Sequence, residues 1–390
     1  MHNNLETNLQ KPKVRAIAFY LPQYHPIPEN DEWWCKGFTE WTNVTKAKPL
    51  FPGHYQPDLP SDLGFYDLRV PETRIAQAEL ARAHGIEGFC YWHYWFGNGK
   101  RILDRPFNEV LKSGQPNFPF CLGWANHTWS GIWDGCPNRI LIQQTYPGKD
   151  DYKAHFETVV EAFKDERYMK INGQPIFLIF SPKDLPNPLE FTDYWRELAI
   201  ESGFPGIYFI GLSSNPSWNP SIYGFDAFSS HPPKDIINRL PESLAEKVFR
   251  KVFHKKFKEF LRDYFSIPCI YSYQKLVDYV IPDVSTELNF LPCIVPNWDN
   301  TPRSGVNGIV FRDPTPELFR KQLNTAITRL AKNNPEERIV FIKSWNEWAE
   351  GNYLEPSRRF GKAFLEVIKQ EIQYPPIKKP QKIEQQYVKL

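Results

Sequence analysis

Short apolar runs alternate with longer, helix-patterned stretches along almost the whole chain. The runs are Arg15–Tyr20, Ile86–Trp92, Phe118–Trp124, Pro175–Phe180, Gly206–Leu212, Phe225–Ser229, Leu291–Val295 and Arg338–Trp345. Each is apolar at consecutive positions, the mark of a strand buried on both faces of a parallel sheet. Between them, Glu72–His84 places Ala and Leu at helical spacing and stops before Gly85, a residue suited to the left-handed position after a helix. Asp150–Lys164 and Thr315–Lys332 begin near polar capping residues, and Ser357–Ile372 follows the last run. About eight strand–helix alternations predict an α/β fold, a closed (β/α)8 TIM-like barrel, as one domain over residues 14–373. A doubly wound open sheet is the alternative. It calls for a glycine-rich first turn, and here that turn reads Leu21-Pro22-Gln23-Tyr24-His25, with only a lone G-x-G at Gly97 and Gly99.

Residues 1–13 read as a polar N-terminal tail and 374–390 as a Pro/Lys-rich C-terminal tail lying on the surface. The stretch from Leu244 to Arg262 differs from the rest. Val248, Phe249, Val252, Phe253, Phe257, Phe260 and Leu261 form one apolar stripe, and Lys and Arg fill the other face. A helix packed on the barrel with a solvated basic face explains it. Contact with anionic lipid head groups or a lipid-linked substrate is the sharper alternative.

Composition narrows the partners. The chain has 390 residues, with 47 Lys+Arg against 45 Asp+Glu, so no field of one sign gathers nucleic acid. Its 13 Trp, 19 Tyr and 29 Phe exceed what a Leu/Ile/Val core requires. Aromatic faces stack on sugar rings and on bases, and the balanced charge favours sugars. No run approaches the ~18 apolar residues of a membrane span, and the first residues have no apolar leader core, so a cytoplasmic protein is expected. Cys90, Cys121, Cys269 and Cys293 sit in apolar runs and read as buried thiols. No C-x-x-C or zinc spacing occurs, so neither a metal nor a cofactor is expected.

In a barrel the chemistry lies at the carboxyl ends of the strands. Those ends carry Tyr20, Gln23, Tyr24 and His25 after the first run, His93, Tyr94 and Trp95 after the second, and Trp124, Asn126, His127 and Trp129 after the third. Trp298, Asp299 and Arg303 follow the seventh, and Trp345, Asn346, Glu347, Trp348 and Glu350 the eighth. Glu347 and Glu350 form the pair of greatest interest. Two carboxylates three residues apart at a strand tip can face one pocket, and glycoside chemistry needs one group to protonate the leaving oxygen and another to generate the nucleophile. They could equally cap the next helix or pair with Arg358 and Arg359. His93 could be a hydrogen-bonded core histidine, Asp299 and Arg303 a loop salt bridge, and any single Trp a core residue. The clustering at strand ends favours a site.

KSWNEWAEGNYLEP (343–356), LPQYHPIPENDEWW (21–34), GFTEWTNV (37–44), GFCYWHYWF (88–96) and PNWDNTPR (296–303) resemble the WbsX family. These are glycoside hydrolase family 99-like proteins, often described as glycosyltransferases of O-antigen and other surface-polysaccharide clusters. The resemblance runs from about residue 14 to about 370 and implies a (β/α)8 barrel. The N-E-W-x-x-G element of family 99 hydrolases, with its second Glu three residues on, matches Asn346 to Gly351. The resemblance therefore implies that Glu347 deprotonates the substrate's own 2-hydroxyl, which closes on the anomeric carbon. It implies that Glu350 is the general acid/base. Backside closure needs a 2-hydroxyl trans to the leaving group, as in an α-linked manno-configured sugar such as mannose or rhamnose. The substrate-binding candidates are Tyr20, Gln23, Tyr24, Glu40, Trp41, His93, Tyr94, Trp95, Trp124, Asn126, Trp298, Asp299, Arg303, Trp345 and Asn346. One departure stands out: relatives usually read W-A-N-E-N-W after the third strand, and here an acid is replaced by His127.

Three readings follow. The first is an enzyme that cleaves or transfers a glycosidic bond with retention, acting on an oligo- or polysaccharide that can be lipid-linked, in surface-polysaccharide biosynthesis. The second is a nucleotide-sugar-dependent glycosyltransferase on the same barrel, although no D-x-D is present and only Arg303 and Lys343 offer phosphate contacts. The third is a non-catalytic sugar-binding protein, which has no need of two adjacent carboxylates. A cytoplasmic location, or one peripheral to the inner face of the membrane through Leu244 to Arg262, suits the first two.

Overall fold

A computed structural model describes residues 13–131, 136–242, 247, 251–252 and 256–373. Both expected tails, apart from Lys13, and about half of Leu244–Arg262 lie outside these residues.

The apolar runs become parallel strands. They are β1 (Arg15–Tyr20), β2 (Gly88–His93), β3 (Phe120–Trp124), β4 (Gln174–Ile179), β5 (Tyr208–Leu212), β6 (Ala227–Ser229), β7 (Phe290–Leu291), β8 (Cys293–Ile294) and β9 (Ile339–Ile342). Their order is β7-β6-β5-β4-β3-β2-β1-β9-β8. β7 and β8 are one run interrupted at Pro292, which has no N–H to give to a ladder. Before the break, Phe290 and Leu291 pair with Phe228 and Ser229 of β6. After it, Cys293 and Ile294 pair with Phe341 and Ile342 of β9. The run changes neighbours at its proline, and in doing so joins the two ends of the sheet into a barrel.

Helices cover the outside, among them α1 (Pro71–Ala83), α2 (Arg105–Ser113), α3 (Lys149–Lys164), α4 (Pro188–Glu201), α5 (Pro316–Leu330) and α6 (Ala363–Gln373). Gly85, at φ +85°, sits where the chain leaves α1. The last helix starts later than its pattern suggested, because Ser357 and Gly361 first form a bridge. A small parallel sheet of Cys269–Ser272 and Ile309–Arg312 lies beside the barrel and was not legible in the sequence. Cys269 belongs to it and is only half-buried, whereas Cys90, Cys121 and Cys293 are buried as expected. The described end of the basic stretch is a helix, Phe257–Phe265.

Strand alternation decides which side chains reach the interior. Phe19 stacks on Trp92 at 4.8 Å and on Phe341 at 5.2 Å, forming the aromatic floor of the barrel. The next residue, Tyr20, points the other way and donates to Gln77 of α1 at 2.7 Å.

Candidate active site

Three segments converge at the carboxyl end of the barrel. Glu40 opens a short helix (Glu40–Lys46) soon after β1. Arg303 lies on the turn after β8, in the helix Thr301–Ser304. Glu347 and Glu350 flank a tight turn after β9, within an antiparallel hairpin that pairs Asn346 with Tyr353 and Glu347 with Asn352. The turn needs glycine at its end: Gly351 has φ +61°, and a Cβ there would meet the Asp299 backbone nitrogen at 2.6 Å.

Arg303 ties the three together. Its Nε donates to Glu40 at 2.7 Å, and its Nη1 reaches Glu350 at 2.7 Å and Glu347 at 3.5 Å. Lys343, at the end of β9, holds its Nζ 4.0 Å from Glu350 and 5.3 Å from the centre of the Trp298 ring. Asn352 donates to Glu350 at 3.1 Å. Side-chain exposure is 7% for Glu347 and 19% for Glu350.

The two carboxyls share a hydrogen bond, yet their surroundings pull them apart. Burial, and then the negative charge of Glu350, hold the proton on Glu347 against the pull of Arg303 and Lys343. Burial works against ionisation of Glu350 too, but Arg303 and Lys343 outweigh it and keep that group ionised. Burial likewise opposes the charge of Arg303, and Glu40, Glu350 and Glu347 more than offset it. The surroundings thus favour the neutral form at Glu347 and the ionised form at Glu350.

A buried polar frame supports the hairpin. Asn346 accepts from the Leu21 N–H at 2.8 Å and donates to the Leu21 carbonyl at 3.1 Å and the Tyr66 hydroxyl at 3.2 Å. The Tyr24 hydroxyl donates to the Asn346 carbonyl and accepts from the Trp348 N–H. Glu355 accepts from Trp348 at 2.6 Å, Gln77 at 2.7 Å and Tyr66 at 2.9 Å, while burial pushes its carboxyl up to about 7.

The candidates from the sequence divide accordingly. Glu40, Arg303, Glu347 and Glu350 meet at the mouth, with Trp298 against Lys343. Tyr94 lies close enough for the charge of Glu347 to help hold its hydroxyl neutral, after burial. Tyr24, Trp41 and Asn346 sit beneath the hairpin; the Trp41 Nε1 donates to the Tyr66 carbonyl at 2.8 Å. Gln23 is buried, and its carbonyl accepts from the Glu40 N–H at 3.0 Å. Asp299 does not pair with Arg303. His54 and Gln56 take it, at 2.7 and 2.8 Å. Arg303 likewise takes the pair that Arg358 and Arg359 were candidates to hold.

Tyr20, His93, Trp95, Trp124 and Trp345 are not brought to the mouth. Three of them are the last residues of their strands, and there the alternation faces the helices. His93 bonds His155 of α3 at 2.8 Å, Trp95 donates to Asp151 at 3.0 Å and Trp124 packs on Phe191 of α4. Trp345 packs on Phe89 at 5.1 Å. Asn126 straps the loop after β3 to Ser181 after β4, at 2.7 and 2.9 Å.

Two histidines also lie near the site, His127, noted in the sequence as a departure from the relatives, and His231, which was not singled out. His231, two residues past β6, packs on Phe180 at 4.5 Å and feels Lys343, Glu350 and His127; burial, then Lys343, press its pKa down to about 3. His127 also packs on Phe180, at 4.8 Å, and burial lowers it to about 4. The signal for His231 was its place just beyond an apolar run. Among the described residues no group of His, Cys, Asp or Glu could hold a metal ion. No helix there is long and apolar enough to cross a membrane.

Solved structures with the same architecture are glycoside hydrolase-like barrels. One titled a glycoside hydrolase-like protein superposes with a TM-score of 0.57 at 15% identity, covering 94% of this chain and 96% of its own. The family 99 endo-α-mannosidase of Bacteroides thetaiotaomicron, in complex with bis-tris propane, gives 0.55 at 15% identity, covering 91% and 95%. The particular family is given by sequence: residues 16–368 match the family Glycosyltransferase WbsX, and the chain belongs to it. WxcX, an uncharacterized protein of Xanthomonas campestris pv. campestris, is 37% identical over 357 residues in each of two strains. The match spans 91% of this chain and 49% of WxcX, so the chain covers about half the length of that relative.

Proposed function

We propose that this protein is an enzyme that cleaves or transfers a glycosidic bond with retention, acting on an α-linked manno-configured sugar during surface-polysaccharide assembly. The observation that carries the reading is the pair of largely buried carboxyls, Glu347 and Glu350, held by one guanidinium, Arg303, at the barrel mouth.

Glu350, once it carries the shared proton, gives it to the departing glycosidic oxygen. Glu347, then ionised, takes the proton of the sugar's 2-hydroxyl, and that oxygen closes on the anomeric carbon to form a 1,2-anhydro sugar. Water or an acceptor hydroxyl then loses its proton to Glu350 and opens the ring from the opposite face. The proton on Glu347 returns to the 2-oxygen, and two inversions leave net retention. The resting proton lies on Glu347, so the cycle begins with its passage across the hydrogen bond the pair shares. Substrate that displaces Lys343 or Arg303 from Glu350 favours that passage, because those cations are what keep Glu350 ionised.

Arg303 is already occupied by Glu40 and Glu350, which argues for this reading over one in which it holds a nucleotide diphosphate. The test uses wild type and Glu350→Gln with α-mannan and α-rhamnan oligosaccharides, with and without nucleotide sugars, followed by mass spectrometry. Cleavage or rearrangement without nucleotide, reduced by a factor on the order of 10³ in Glu350→Gln, is expected. Chain extension only with a nucleotide sugar overturns the mechanism.

A further inference from the structure

A second cleft lies behind the catalytic hairpin, walled by the loop from Phe51 to Asp58, by Asn297 and Asp299, by Arg312 and Arg359, and by Gly351. It is built against the site without being part of it. The Asp299 N–H donates to the Glu350 carbonyl at 2.7 Å, and the Tyr353 hydroxyl donates to Asp58 Oδ2.

Most of its polar groups are satisfied. His54 Nδ1 accepts from the Leu50 N–H at 3.0 Å, so its Nε2 is left to donate to Asp299 at 2.7 Å. Asp58 is the exception. It is 6% exposed, and its Oδ1 is buried without a hydrogen-bond partner. A buried acceptor left unmatched costs roughly 1–3 kcal/mol, and more when charged, unless something arrives to fill it. The enclosed space is about 30 Å³, enough for one or two hydroxyl-sized groups. Tyr55 stands at the rim as a 42% exposed residue, and the Arg359 guanidinium lies over its ring, 4.8 Å from the centre.

An unfilled carboxylate oxygen, room for hydroxyls and an open aromatic ring with a guanidinium beside it form the set that recognises a pyranose. We propose that this cleft is a second saccharide site: hydroxyls at one edge of a neutral hexose enter beside Asp58, and the ring packs against Tyr55. Its ligand class rests on the carbohydrate reading above, but its occupancy does not depend on catalysis at Glu350. A site here extends the protein's hold on a glycan beyond the bond being broken.

Burial pushes the Asp58 carboxyl up to about 6, opposed by the Tyr353 hydroxyl and Arg359 and assisted by Asp299. His54, Tyr55, Arg312 and Asp313 are the remaining titratable groups lining the cleft. A hydroxyl donating to Oδ1 favours the ionised form, so affinity at this site should rise up to about tenfold from pH 5 to pH 7.

The experiment is equilibrium dialysis of the full chain carrying Glu350→Gln against labelled methyl α-mannoside. Two bound equivalents are expected, one of them lost when Tyr55→Ala or Asp58→Asn is added. Thermal melting checks folding. If Asp58→Asn lowers the melting point, Tyr55→Ala, a change at an exposed ring, decides alone. A single equivalent that disappears with Tyr55→Ala means that the cleft binds sugar and the barrel mouth does not. Any number of equivalents unchanged by Tyr55→Ala, or none at all, overturns the cleft.

Discussion

Arg303 is a buried cation facing three carboxyl groups, and the site's electrostatics turn on it. Replacing it with alanine strands Glu40, which is wholly buried, and leaves Glu350 with Lys343 as its nearest cation. Breaking a buried pair from one side costs about 3–5 kcal/mol. Urea unfolding of Arg303→Ala should therefore show a loss of that size, and activity should vanish with it. Arg303→Lys keeps the charge but not the two-pronged reach to Glu40 and Glu350, so it should recover stability more than turnover. A stability equal to wild type in Arg303→Ala would mean that the pairings contribute nothing. At this scale the sequence was half legible. Glu347 and Glu350 stood out because charged residues past apolar strands are costly unless used, Arg303 was marked by its place after the seventh run, and Glu40 came only with the family resemblance. Tyr20, His93 and Trp124 misled, because a strand tip by itself does not reveal whether its last side chain faces the barrel interior or the helices. That depends on register against the neighbours, which a single chain does not display.

The hairpin after β9 is the element on which the site depends. Its turn closes at Gly351, where a positive φ and the nearness of Asp299 both exclude a side chain. Gly351→Ala should destabilise the fold by at least about 1 kcal/mol through the backbone conformation alone. The larger effect should be on activity, since the shift displaces Glu350. Comparison of melting temperature with turnover separates the two, and unchanged turnover would show that the turn does not fix the carboxylate. The apolar runs announced all the barrel strands because burial on both faces leaves no polar positions to blur them. The break at Pro292 was not legible, since a proline in an apolar run reads as an end and here serves as a change of partner. The small sheet of Cys269–Ser272 and Ile309–Arg312 was silent for the opposite reason: its strands are short and partly exposed.

For the whole molecule, acid is the predicted weakness. His93 and His155 face each other at 2.8 Å inside an aromatic cage, and burial holds both neutral, His93 down to about 3. A histidine whose folded pKa is depressed takes up its proton only after unfolding. Its contribution is intact above the unfolded value of about 6.5 and is lost as pH falls below it. Each such group removes about 1.4 kcal/mol per pH unit once well below that value. Urea titrations at pH 7 and pH 5 should show the decline. In His93→Gln the decline should be shallower, and equal slopes in the two proteins would refute the assignment.

The bond from Arg303 to Glu40 joins positions 263 residues apart in the chain. It lies next to the seam where β1 meets β9, the first strand of the barrel against the last. A growing polypeptide therefore carries Glu40 and Arg303 for some time before Glu347 and Glu350 have been made. Until the final strand docks, the barrel is open and the proposed acid–base pair is not in place. On the proposed mechanism, chemistry toward sugars begins only with the event that closes the barrel.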